Sequence, residues 1–250
     1  MIFHKHIEIE KDKRIFIFGD VHGRYDLLTK AHNRLGIKDE DIKIYLGDLT
    51  DRGTQNFRCV IAGLRSENAF SIRGNHEDMM ILGLLEGDAR QYFCWKQNGG
   101  QTVLDEMGEE GATVLATILE DAPVMITASH GDKTYGFIHG GYPSVLSDIS
   151  LFDLEKLCTE RDILERVAEA LMWDRDMVDC AKEGMKLPLV LGVDKVFHGH
   201  TPLPAPLING NRVYMDTGSC FNGNLTVAVI ESESSEIEDK FWFYSTLEED

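Results

Sequence analysis

Before residue 90 the chain repeats one order of parts three times: an apolar run, a glycine, a polar cluster and a stretch with helical spacing. "RIFIFG" at 14–19 passes through "GDVHG" to "YDLLTKAHNRLG", "DIKIYLG" through "GDLTDRG" to "TQNFRCVIAGL", and "AFSIRG" through "GNHE" to "HEDMMILGLLEG". Short apolar runs alternating with amphipathic segments read as βαβ units, which lay their strands side by side and parallel. Open α/β folds gather ligands beyond the carboxyl ends of such strands. All three polar clusters stand there.

The second half reads differently. Helical pieces over 88–120 are broken at "NGG" and "GEEG", and "PVMITAS" and "TYGFIHG" flank a hairpin turn at "HGDK". Residues 151–173 read as helical and "KVFHGH" returns to strand. "APLING" and "RVYMD" form a hairpin about Asn209–Gly210, and "NLTVAVI" and "KFWFYST" add terminal strands. Hairpins following βαβ units call for two mixed sheets rather than one parallel sheet. At 250 residues, with no repeat and no linker, the expectation is a single α/β domain over 1–250.

Composition narrows the function classes. Asp+Glu number 43 against 25 Lys+Arg, a formal charge of -18, which leaves no electrostatic footprint for nucleic acid. The five cysteines are scattered and form no C-x-x-C pair, against a disulfide scaffold or a zinc knuckle. No apolar run approaches the roughly 18 residues of a membrane span, and "MIFHKHIEIEKDK" has no signal-peptide pattern. A cytoplasmic protein with no membrane partner is expected.

Asp20 and His22 are two residues apart, so in extended chain both side chains leave on one side. A carboxylate beside an imidazole makes a corner for a divalent ion. Asp48 ends the next strand and reaches the same point if the strands are neighbours. "FIHGG" and "FHGHT" bring histidines from the far half of the chain. Taken alone, His139 fits a core histidine closing a strand as well as it fits a ligand.

Together, "GDVHGRYD", "GDLTDRG", "RGNHE", "FIHGG", "LMWDR" and "FHGHTPL", with "YMDTGSCFNGNLTVAVI" behind them, resemble the calcineurin-like metallophosphoesterases. Within that superfamily the resemblance is to the phosphoprotein phosphatases, most closely the small bacterial and phage serine/threonine enzymes. It spans roughly residues 14–232 and implies two mixed sheets packed as a central sandwich flanked by helices. It also implies a binuclear centre. Asp20 and His22 would bind the first metal, Asp48 would bridge both, and Asn75, His139 and His200 would complete the second. Carboxylate, imidazole and amide ligands suit manganese, with iron or zinc as alternatives. Arg52, Arg73 and Arg175 are the implied holders of phosphoryl oxygens, for which a guanidinium offers paired donors. His76 is the implied proton donor to the leaving oxygen, oriented by Asp51. His198 stands where the family pattern has an apolar residue and is read as structural or supporting. Trp95, Asn98 and Gly99 fall in the region that caps one side of the site in bacterial members, where they could shape substrate entry.

The implied activity is hydrolysis of phosphoserine and phosphothreonine in proteins, with phosphotyrosine also open, by a freestanding catalytic domain without an obligate regulatory subunit. Two rivals remain. A symmetrical diadenosine tetraphosphate hydrolase shares the motifs, but the "DRG" of the second motif and the glutamate of "GNHE" argue against it, because that branch tends toward an alanine and an aspartate there. A catalytically silent phospho-binding module would have lost a ligand or the acid, and none is missing.

Overall fold

The chain opens with a strand not expected from its sequence, β1 (His4–Ile9), in which Ile7 and Ile9 turn inward and the rest is polar or charged. The computed structural model describes residues 1–158, 160–232 and 241–247. The three expected units follow: β2 (Ile15–Phe18) with α1 (Tyr25–Leu35), β3 (Ile42–Tyr45) with α2 (Asn56–Leu64), and β4 (Ala69–Ser71) with α3 (Asn75–Leu84). β2 and β3 are buried at every position, as strands covered on both faces must be.

Next come α4 (Ala89–Trp95), a π turn over 96–100 and α5 (Gln101–Leu119). Both expected breaks are there: Gly99 at φ 117 in "NGG", and Gly108 at φ 70 and ψ 177 in "GEEG", where two helical pieces of α5 meet at a kink. β5 (Met125–His130) and β6 (Lys133–Ile138) form the predicted hairpin. The region read as helical over 151–173 holds two helices, α6 (Leu154–Leu157) and α7 (Arg161–Trp173), followed by the unpredicted α8 (Asp176–Lys182). β7 (Lys195–His198) precedes the hairpin of β8 (Leu207–Asn209) and β9 (Arg212–Tyr214). A one-turn α9 (Ser219–Asn222) leads to β10 (Thr226–Ile230) and β11 (Phe241–Ser245).

The strands make two mixed sheets, ordered β11-β10-β2-β3-β4 and β1-β5-β6-β7-β9-β8. The alternation of strand side chains sorts the core into layers. Ile15, Ile17 and Ile44 face Ile126, Phe137 and Phe197 between the sheets. Phe16, Phe18 and Tyr45 point the other way, onto Leu28, Val60, Met80 and Leu115 of the helices. Each such fully buried side chain contributes about 1.5–3 kcal/mol. Leu171 and Met172 of α7 cover the outer face of the second sheet over Met125 and Ile138. This is the expected sandwich flanked by helices. Among the described residues no helix is long and apolar enough to cross a membrane.

Candidate active site

The carboxyl ends of the two sheets meet directly. His139, one residue past β6, donates from Nδ1 to the Leu46 carbonyl, one residue past β3, at 2.6 Å. Around that junction Asp20, His22, Asp48, Asn75, His139 and His200 all come together, each at most 4 % exposed. Asp48 lies between two groups of donors: His22, Asp48 and His76 in one, Asp48, His139 and His200 in the other, the ligand atoms of each lying within 4.8 Å of one another. Its Oδ1 is 3.3 Å from His139 Nε2 and its Oδ2 is 3.6 Å from His22 Nε2. Asn75 Oδ1 faces His139 Nε2 at 3.0 Å and His200 Nδ1 at 2.9 Å. Asp20 turns both carboxylate oxygens to the His200 backbone N–H, at 3.1 and 3.0 Å.

The tautomers are set by the backbone. His22 Nδ1 donates to the Thr50 carbonyl at 2.8 Å and His139 Nδ1 to Leu46, so the Nε2 atoms are left to carry lone pairs. Lone pairs of His139, Asn75 and Asp48 then converge in a buried space, which is repulsive unless a proton or a cation lies among them. In the protein alone, Asp48 holds a proton on His139 against the pull of burial, raising that imidazole to about 10. A divalent cation competes for the same lone pair. Burial pushes His22 down to about 3 and His200 to about 2, leaving both as neutral imidazoles. Asp48 is held well below the usual carboxylate range: burial opposes its ionisation, but His139 and His76 beside it outweigh that. Neutral imidazoles, an ionised carboxylate and an amide oxygen in one buried cluster fit a divalent metal centre.

Glu77 holds this arrangement in place, a role not foreseen from the sequence. Its Oε2 accepts from Gly74 N and Asp48 N at 2.9 and 2.8 Å, and its Oε1 from Leu49 N and Thr50 N at 2.8 and 3.4 Å. One buried carboxylate therefore ties the start of α3 to the turn that carries Asp48. Three residues past Gly74, Glu77 makes the glutamate half of a capping box, while glycine has no side chain to return the bond. Five site residues have left-handed backbone: His22 (φ 48), Asp48 (φ 49), Asp51 (φ 73), Arg52 (φ 67) and His200 (φ 69). Such conformations cost side-chain-bearing residues free energy and persist where surrounding structure imposes them. At Gly74 a Cβ would stand 2.6 Å from Asp48 N, so this turn needs glycine.

His76 Nδ1 lies 2.6 Å from Asp51 Oδ2, and Trp95 donates from its indole to Asp51 Oδ1 at 3.0 Å. Burial lowers the His76 pKa, but the charges of Asp48 and Asp51 outweigh it, and the net shift is upward. Trp95 thus reaches the site through Asp51 and is itself fully buried, a different place from the substrate entry expected for it. Asn98 and Gly99 do border the mouth: their carbonyls accept from Arg52 Nε and Arg52 N at 3.3 and 3.2 Å. Arg52 spans the mouth, its two Nη atoms 2.8 Å from His22 Nε2 and 3.0 Å from His76 Nε2. Arg175 follows α7, and its charge acts on His200, whose ring meets Trp173 edge-on at 5.9 Å. Arg73 lies elsewhere: its Nη1 pairs with Asp78 at 3.3 Å and its Nη2 donates to the Glu120 carbonyl at 3.2 Å, a brace beneath α3. His198 is a buried structural ring, stacked on Tyr214 at 4.9 Å with Nδ1 donating to the Ile138 carbonyl. Asp216, also not foreseen, is buried beside the cluster; burial first and then the negative charge of Asp216 raise the Asp20 pKa.

Serine/threonine-protein phosphatase 1 of Salmonella typhimurium is 28% identical over 234 residues, covering 91% of this chain and 97% of that protein. Among solved structures, a protein serine/threonine phosphatase from Saccharomyces cerevisiae superposes with TM-score 0.65 at 16% identity, covering 96% of this chain and 82% of that one. A structure described as a candidate diadenosine tetraphosphatase superposes with TM-score 0.59 at 16% identity, covering 96% and 97%. At that identity the two structures speak for the fold alone. Residues 13–216 match the model of the calcineurin-like phosphoesterases, and the chain belongs to that family.

Proposed function

We propose that the chain is a metal-dependent phosphoprotein phosphatase acting on phosphoserine and phosphothreonine, with phosphotyrosine accessible to the same site. The observation that carries this is the buried Asp48 shared by two donor groups, with the His76–Asp51 pair beside it. The similarity over nearly its whole length to a bacterial serine/threonine-protein phosphatase supports the choice of substrate. Asp20, His22, Asp48, Asn75, His139 and His200 would hold two divalent ions, manganese by preference. Bound there, such ions polarise phosphoryl oxygens and make a water acidic enough to attack.

The protein's own groups do the rest. Arg52 and Arg175 offer donor forks to the non-reacting phosphoryl oxygens as charge shifts during reaction. To reach them, Arg52 exchanges its contacts with His22 and His76 for the phosphate. Water oxygen bonds to phosphorus, the bond from phosphorus to the serine oxygen breaks, and its electron pair leaves on that oxygen. His76 Nε2 supplies the proton, while Asp51 keeps Nδ1 protonated and the ring aimed. Arg73, committed to Asp78 and Glu120, supports α3 instead of touching phosphate. The described cysteines are all unpaired, which supports a cytoplasmic setting.

The test is turnover with added Mn²⁺ on a phosphoserine peptide and on diadenosine tetraphosphate, beside elemental analysis of the purified protein. Efficient peptide hydrolysis with slow dinucleotide cleavage is expected. The reverse preference would move the chain to the dinucleotide hydrolases, and tight phosphopeptide binding without turnover would make it a binding module.

A further inference from the structure

Behind the phosphate side of the site lies a fully buried arginine that the reaction scheme leaves unused. Arg212, at the start of β9, is 0 % exposed. Its Nε donates to the Pro188 carbonyl at 3.1 Å and its Nη1 to the Tyr142 carbonyl at 2.8 Å, while Nη2 and the neighbouring Tyr214 hydroxyl, both buried, make no direct hydrogen bond of good geometry. Tyr142 stands three residues past His139. The residue before it, Gly141, lies flat against Asp174: a Cβ there would overlap Asp174 Oδ2. That carboxylate oxygen is also buried without a direct partner. Gly140 completes the contact, its N–H donating to the Leu171 carbonyl at 2.8 Å near the end of α7.

Arg212 and Asp174 therefore meet the same dipeptide, Arg212 through a hydrogen bond and the half-buried Asp174 through close packing, each with one enclosed polar atom unsatisfied. A buried cation and an enclosed carboxylate oxygen with open hydrogen-bonding positions are costly unless those positions are filled, and ordered water fills such places. Asp174 immediately precedes Arg175 and follows Trp173, the ring set against His200. We propose that Arg212 is a positioning residue for the phosphate grip: with Asp174 and a water joining Nη2 to Oδ2, it clamps Gly141–Tyr142 and fixes Arg175 beside His200. This rests on the reading of Arg175 as a phosphate-holding arm. Removing the clamp frees the 173–175 turn without touching a proposed metal ligand.

The test is a double-mutant cycle on Arg212→Met and Arg175→Ala, reading affinity for inorganic phosphate by calorimetry on the Mn²⁺-loaded protein and KM for a phosphopeptide. With Arg175 present, Arg212→Met is expected to weaken phosphate binding and raise KM about tenfold, the scale of one charge-assisted contact. In the Arg175→Ala background the same change should cost less than about twofold, because coupled residues are non-additive. Arg212→Lys should restore part of the loss. Equal losses in both backgrounds, or unchanged phosphate affinity, would overturn the proposal. If Arg212→Met does not fold, Asp174→Asn goes through the same cycle under the same criterion. Failure of the wild type to turn over phosphopeptide while binding phosphate would overturn the phosphatase reading and leave the cycle readable.

Discussion

Replacing Trp95 by phenylalanine removes the hydrogen-bond donor to Asp51 and, because the indole is fully buried, also leaves a small cavity in the core. The indole lies wholly within the core and donates to Asp51 Oδ1, while Asp51 Oδ2 holds His76. A hydrogen bond to a buried charged group is worth about 1.5–3 kcal/mol. Losing it disfavours the charged form, so the Asp51 pKa should rise further. Asp51 is already raised, with burial as the main cause, so the extra rise leaves the carboxylate less ionised at neutral pH. Asp51 raises the His76 pKa through its charge and hydrogen bond, and that support weakens in the variant. His76 donates a proton and is active when protonated. Turnover of phosphopeptide in the wild type should therefore fall as pH rises through its elevated pKa. In Trp95→Phe this alkaline limb should move to lower pH. At pH 8 kcat on a phosphoserine peptide should drop about tenfold, well short of the 10²–10⁴ expected for full loss of a proton donor. Nitrophenyl phosphate, whose leaving group needs little protonation, should lose less than about threefold. The assay is a pair of pH–rate profiles with metal content measured on the same samples. Equal losses on both substrates with an unmoved alkaline limb would refute the chain of action from Trp95 to His76.

Other perturbations separate the parts of the site. His76→Asn should keep metal content yet lose about 10²–10⁴ in kcat on phosphopeptide, recovering partly on nitrophenyl phosphate, whereas Asp48→Asn should lose metal and both activities. Glu77→Gln puts an amide N–H against backbone donors in a fully enclosed place, leaving two of them unpaired. It should cost about 2–5 kcal/mol and lower the melting temperature by about 10 °C in thermal denaturation. Arg73→Met should lower stability and leave KM for phosphopeptide unchanged, because its guanidinium serves Asp78 and Glu120; a tenfold rise in KM would return it to the phosphate. Chelation should abolish turnover and lower the melting temperature, with Mn²⁺ restoring both.

The βαβ half was legible because each strand is apolar throughout and each helix carries its own spacing, so local pattern and tertiary role agree. Asp20 and His22 do reach the same cluster, but His22 has left-handed backbone, so a turn and not an extended step brings them together. β1 escaped notice because only Ile7 and Ile9 are apolar: Lys5 shares their face, and the outer side carries two histidines and a glutamate. The break at "GEEG" was legible from its glycines, and Gly108 does leave helical backbone there, with Val103 before it and Ala112 and Leu115 after it packed on the same core. In the site, residue types with metal chemistry announced themselves; Glu77 and Trp95 did not, since they act through hydrogen bonds to Asp48 and Asp51 across 29 and 44 residues. Arg73 was assigned by its neighbours in the chain, but its side chain leaves on the far side of the turn. Adjacency in sequence says nothing about direction once the backbone turns sharply.

The donors around Asp48 are supplied from Asp20 at one extreme to His200 at the other, and from both sheets. No contiguous fragment of the chain ending before residue 200 holds a complete set. During synthesis, at about 5–20 residues per second, the first three motifs leave the ribosome several seconds before the last. Throughout that interval the nascent chain carries Asp48 and His76 but has nothing to close the second donor group. A truncated or half-degraded chain is inert by the same reasoning. Hydrolytic capacity therefore appears in one step, with completion of the second sheet, and the cell is spared an unregulated partial phosphatase.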